Sequence, residues 1–170
     1  MTGEIIIVPR YSNVNGPLVF LAGPIQGALE WQDKAIEILR KNAPDLHIAS
    51  PRRKEEYEGE FTKEMYYEQV DWETHYLNRA AEDGCIMFWL AEEYTHICSR
   101  AYAQTSRFEL AKWTTKKLYE ERIKIAVGID EGFSGARYIR YELSKRADEI
   151  PILGSLENTC LKTIEMIYNN

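Results

Sequence analysis

Two glutamates carry most of the chemical interest of this chain. Glu109 stands in Thr105-Ser106-Arg107-Phe108-Glu109-Leu110, directly after a polar loop and where a helix is expected to begin. A carboxylate in a helix's first turn feels unpaired backbone N–H groups and the positive end of the macrodipole, which favour its anion. An anion is what nucleophilic attack on a sugar carbon requires. The same spacing also spells a capping box, Ser106-x-x-Glu109, in which the glutamate only starts the helix. Local sequence leaves both readings open.

Glu73 is the second candidate. Val70, Glu73, Leu77 and Ala80 recur at helical spacing, so this carboxylate shares a face with apolar residues. Acidic side chains are seldom buried unless paired, which makes the placement a functional hint. A wet or salt-bridged carboxylate at the rim of a sheet would look the same. Asp71 precedes Trp72 and falls on a different face. Arg52 and Arg53 follow a short strand, where they could meet an anionic or planar polar ligand or simply form a solvated turn. Gly23 and Gly27 lie in a glycine-bearing loop that matches neither GxGxxG nor the P-loop pattern, so no dinucleotide or kinase-like phosphate cradle is expected. His47, His75 and His96 show no clustered spacing, and no metal site is expected. Tyr94 and His96 occupy the loop before Glu109 and could line a pocket.

These residues need a scaffold, and the hydrophobic pattern supplies one. Residues 18–22 form a continuous apolar run closed by Gly23-Pro24, the mark of a buried parallel strand and its turn. Residues 84–90 form the clearest strand, apolar throughout and so central and covered on both faces. Shorter strands are expected at 4–8, 46–49, 123–127 (ending at Gly128) and 150–153, the last at an edge. Helices are expected at 28–41, 63–82, about 106–120, 137–147 and 155–168, with 52–62 and 91–104 as loops. Strands alternating with helices imply right-handed crossovers and a doubly wound, mainly parallel α/β sheet with helices on both faces. Ligands of such sheets bind beyond the carboxyl ends of the strands, where Gly23, Pro24, Ile25, Gln26, Arg52 and Arg53 all fall.

Bulk composition narrows the classes. The 170 residues suit a single domain spanning 1–170. A net charge of −6 without a long basic block argues against a nucleic-acid groove. Cys85, Cys98 and Cys160 are far apart, as expected of reduced thiols in a cytoplasm. Neither a signal peptide nor a membrane span is read from the sequence, so no membrane partner is expected.

Several fragments occur together in a telling order: Phe20-Leu21-Ala22-Gly23-Pro24-Ile25, Trp31, Ser50-Pro51-Arg52-Arg53, Asp71-Trp72-Glu73 with Leu77, and Ser106-Arg107-Phe108-Glu109-Leu110. Over roughly residues 18 to 130 the chain resembles the nucleoside 2-deoxyribosyltransferase-like proteins. The resemblance implies a flavodoxin-like sheet, a homo-oligomer whose neighbours complete each other's sites, and two-step transfer of 2-deoxyribose between nucleobases. It makes Glu109 the nucleophile and Glu73 the closest counterpart of the family's other acid. Gly23, Pro24, Ile25, Gln26, Trp31, Arg52, Arg53 and Arg107 become the expected substrate-binding set, with nucleosides, nucleobases or nucleotides as ligands and no cofactor. Two departures stand out: Ala111 replaces the glycine of the family's Glu-Leu-Gly motif, and Ala103 replaces an aspartate six residues before the nucleophile. Hydrolysis of a nucleoside or nucleotide, or nucleotide sensing without catalysis, are the alternative functions on this fold.

Overall fold

The computed structural model describes residues 2–54 and 61–169. Part of the loop expected at 52–62 therefore lies outside the described residues. Six strands, β1 (Ile5–Ile7), β2 (Leu18–Ala22), β3 (His47–Ser50), β4 (Gly84–Leu90), β5 (Ile125–Ile129) and β6 (Ile152–Leu153), form one sheet in the order β1-β3-β2-β4-β5-β6. Every pairing is parallel. Five helices, α1 (Trp31–Asn42), α2 (Lys63–Glu82), α3 (Gln104–Tyr119), α4 (Ala136–Arg146) and α5 (Leu156–Tyr168), complete an α/β doubly wound, flavodoxin-like arrangement. No helix among the described residues is long and apolar enough to cross a membrane.

The apolar runs behave as a two-sided sheet requires. Along β4, Ile86, Phe88 and Leu90 enter the core beneath Trp72, Leu110, Trp113 and Leu143 of α2, α3 and α4. Met87 and Trp89 enter the opposite core, with Trp31, Ala35 and Leu39 of α1 and Cys160 of α5. This alternation follows from the two-residue period of a strand. From β3 the chain crosses β2 to reach β4, so the connections after β2 and β4 diverge and leave a crevice above the sheet.

Where the elements differ from the sequence reading, the causes are local. The run expected to become helical at residue 28 starts at Trp31, because 25–28 close a turn (Ala28 N–H donates to Ile25 O, 3.3 Å). On α2, Trp72 and Tyr76 join Leu77 and Ala80 in the core, while Val70 is 38% exposed. The apolar face is therefore rotated away from Val70, which leaves Glu73 at its edge. Strand β3 includes Ser50, and β5 lies two residues later than expected and runs through Gly128. There glycine does not end the strand. A Cβ at Gly128 would collide with the Trp89 ring and with Thr159 Oγ1, so the residue lets α5 close on the sheet.

Replacing Gly128 with alanine should therefore cost about 1–3 kcal/mol, the usual penalty for overpacking a filled core. Gly154, whose Cβ position is open, serves as the control, and Gly154→Ala should stay within about 0.5 kcal/mol of the parent. Urea unfolding midpoints of the two variants test the contrast.

Candidate active site

The crevice is a cleft of about 440 Å³, of the size that holds small ligands. Three strand ends build it. The loop after β2 contributes Gly23, Pro24, Ile25 and Gln26, the end of β3 contributes Arg52 and Arg53, and the segment after β4 contributes residues up to the first turns of α3. Helix α2 closes the remaining side with Tyr66, Gln69, Val70 and Glu73.

The loop after β2 is pinned at both ends. Trp31 Nε1 donates to Pro24 O at 2.9 Å, and the backbone N–H groups of Tyr94 and Thr95 donate to Gly27 O at 2.7 and 3.0 Å. Gly23 and Gly27 both have positive φ, and a side chain at Gly23 would strike Trp89 O and the Trp31 ring. Only glycine fits that approach. On the opposite rim, Tyr102 donates its hydroxyl to Ala91 O at 2.7 Å and holds the start of the polar loop against the sheet. Arg100 bonds Gln26 across the mouth.

Helix α3 begins at Gln104, with Ala103 in the left-handed region (φ 56°) as its N-cap. The capping-box reading of Ser106 and Glu109 is thereby overturned. Ser106 lies inside the helix, 5% exposed, and no side chain caps the N-terminus. Glu109 sits in the second turn, beyond the part of the helix where the dipole acts strongly. The expectation that its anion is favoured fails for the same reason. Burial, then the charge of Glu73, pushes Glu109 up to about 8, against a smaller opposing pull from Lys112. Glu73 is likewise raised by burial, offset in part by a hydrogen bond from Gln69. Two half-buried carboxyls on different helices thus share one cleft and one electrostatic field. Near neutral pH such a pair retains a proton that separate, solvated glutamates would have lost.

The other expected residues divide. Gly23, Pro24, Ile25, Gln26, Arg52 and Arg53 all line the cleft. Trp31 does not: its indole stands behind the loop that it supports, facing a second hollow with Trp89 and Leu156. Arg107 also turns away. Its guanidinium bonds Ser134 O at 2.7 Å and lies 4.4 Å from the Phe133 ring centre, which ties α3 to the loop after β5. The two arginines after β3 differ as well. Arg53 bonds Gln69 Oε1 (3.1 Å) and Glu68 (2.9 Å), whereas Arg52 meets Gln32 Oε1 (3.2 Å) and an exposed Glu30 at 3.8 Å. Sequence reading missed Gln69, although its place one turn before Glu73 is the spacing at which helix neighbours interact.

A family model described as nucleoside 2-deoxyribosyltransferase like matches residues 16–120, a span that holds every cleft-lining residue named above. No curated protein matches the chain.

The raised carboxyls have a consequence for stability. Between the ordinary glutamate range and about 8, the folded chain holds protons that the unfolded chain has released. Stability is then fully present below the ordinary value and is lost as pH rises through about 8. Glu109→Gln removes that linkage and should narrow the loss between pH 5 and pH 8 by on the order of a few kcal/mol. Urea unfolding of both proteins across this pH range measures it, and parallel pH curves would contradict the assignment.

Proposed function

Because the chain belongs to the nucleoside 2-deoxyribosyltransferase-like family, we propose that it transfers 2-deoxyribose between nucleobases through a covalent ester on Glu109. The observation that supports this most is that Glu109 and Glu73 line one nucleoside-sized cleft, where the charge of Glu73 acts on Glu109. A glycosidic bond breaks through an oxocarbenium-like state that calls for a carboxylate at C1′ and a proton for the departing group. Two carboxyls in one cleft, one protonated and one ionised, supply both.

A 2′-deoxynucleoside enters with its base against Gln26 and the loop after β2 and its sugar toward α3. The Glu109 proton passes to Glu73, which leaves Glu109 as the nucleophile. The C1′–N bond breaks and its electron pair goes to the base. Glu109 forms the C1′–O bond, and Glu73 gives the proton to the base nitrogen. An incoming base reverses these steps: its nitrogen attacks C1′, the ester bond breaks, and the proton released by the base returns to the pair.

Incubation with a deoxynucleoside and a second free base, followed by chromatography, tests the assignment. An exchanged nucleoside is expected. Free base with free sugar would instead make the protein an N-glycosidase, and unchanged material with measurable binding would make it a sensor. Glu109→Gln keeps the shape and removes the anion, so turnover should fall by at least about 10³-fold, within the range seen when a catalytic unit is broken. A 2-fluoro-2-deoxy nucleoside should leave an adduct on the peptide containing Glu109, since fluorine disfavours the state through which the ester decays.

One observation favours a phosphorylated substrate as a second reading. Among the described residues, Arg53 is committed to Glu68 and Gln69, whereas Arg52 meets a neutral amide and a distant, exposed carboxylate. Arg52 is thus the guanidinium better placed to take a 5′-phosphate. A charge-assisted bond contributes ~1.5–3 kcal/mol, so Arg52→Ala should weaken 5′-nucleotides about 10- to 100-fold while sparing nucleosides. Equal losses for both ligand classes, measured by calorimetry, would remove the phosphate role.

A further inference from the structure

Gln69 makes three side-chain hydrogen bonds at the edge of the cleft. Its Nε2 donates to Pro51 O at 2.8 Å and to Glu73 Oε1 at 2.8 Å, while its Oε1 accepts from Arg53 Nε at 3.1 Å. The amide cannot be turned over without loss. Pro51 O only accepts and Arg53 Nε only donates, so the NH₂ group must face Pro51 and Glu73. Among the described residues, Gln69 is the one side chain that hydrogen-bonds Glu73. Glu109 receives no such bond from a described residue, and the charges of Glu73 and Lys112 act on it in opposite directions.

We propose that Gln69 is the positioning residue of the carboxyl pair: its amide, fixed by Pro51 and Arg53, holds Glu73 as the anion that receives the Glu109 proton. This rests on the reading of Glu109 as nucleophile, and it adds a direction to the proton's path. Two buried carboxyls of equal environment would share the proton without preference, and either could be caught neutral when substrate arrives. A donor aimed at one of them breaks that symmetry. Glu73 stays charged at rest, its charge keeps the proton on Glu109, and proton transfer between the two creates the nucleophile and the acid in one step.

The other described charged groups around Glu73 do not perform this task. Arg52 and Arg53 reach the cleft from the end of β3, but among the described residues they bond Gln32, Glu30, Gln69 and Glu68. Arg100 is held by Gln26 and Glu93 by His96, both on the far rim. Lys112 acts on Glu109 and opposes the effect of Glu73 there.

Carboxyl titration tests the proposal without relying on turnover. Protein labelled with ¹³C at the glutamate carboxyl carbons is titrated by NMR, with Glu73→Gln and Glu109→Gln identifying the two resonances. Gln69→Met keeps the length of the side chain and removes the donor. The Glu73 midpoint should rise by on the order of one unit, the size expected for loss of one charge-assisted bond. Arg53→Met, which leaves the amide free to turn, should raise the Glu73 midpoint by less. In transfer assays, the acid limb of kcat/KM for Gln69→Met should shift upward with the Glu73 midpoint. An unmoved Glu73 resonance in Gln69→Met overturns the proposal even if the parent is fully active. If the Glu73 midpoint moves but the parent transfers no sugar, the direction of the proton stands and the transferase reading falls.

Discussion

Two carboxyls kept out of water in a single field form the constraint on which the rest of the site depends. Each anion destabilises the other, and burial penalises both, so the cleft retains a proton near neutral pH that an open surface would not. Neither helix produces this alone. Glu73 lies at the edge of the apolar face of α2, and Glu109 lies in the second turn of α3. The sheet brings them together because the chain crosses β2 between β3 and β4, which leaves α2 and the start of α3 flanking the same strand ends.

Rigid surroundings make that field useful. The loop after β2 is held by Trp31, by the two backbone bonds to Gly27 and by a glycine approach that no side chain could share. Tyr102 holds the opposing loop at Ala91. Preorganised dipoles and charges contribute to catalysis because they need no rearrangement as charge develops. Trp31 and Arg107, both expected among the substrate contacts, belong instead to this supporting framework.

Much of the framework was legible in the sequence because apolar runs report burial directly. The boundaries of α2 and β4 match the hydrophobic pattern, since both are bounded by residues that change character abruptly. Less was legible wherever one contact across the fold overrides a local signal. Gly128 reads as a strand end, yet Trp89 and Thr159 are what require it. Ser106-x-x-Glu109 reads as a capping box, yet Ala103 enters the left-handed region and starts α3 two residues earlier than expected. That early start shifts Glu109 out of the first turn, and burial with the charge of Glu73 then turns the favoured anion into a retained proton. Periodicity placed Glu73 on a half-apolar face but could not name Glu109 as the neighbour that it charges.

The alanine at 103 gives the pair its particular burden. By the resemblance, an aspartate would stand there, and its short polar side chain would tolerate the left-handed backbone that Ala103 adopts. Alanine brings no proton to that rim. Among the described cleft residues the remaining carboxylates are Glu30, Glu93, Glu73 and Glu109. Glu30 stands exposed at 3.8 Å from Arg52, and Glu93 bonds His96 on the far rim. Only Glu73 and Glu109 are both desolvated and mutually coupled. In the proposed mechanism, the acid and the nucleophile are drawn from these two among the described residues. The proton that the pair holds then needs a fixed resting place, and Gln69, bonded on three sides, gives it one by holding Glu73 as the anion.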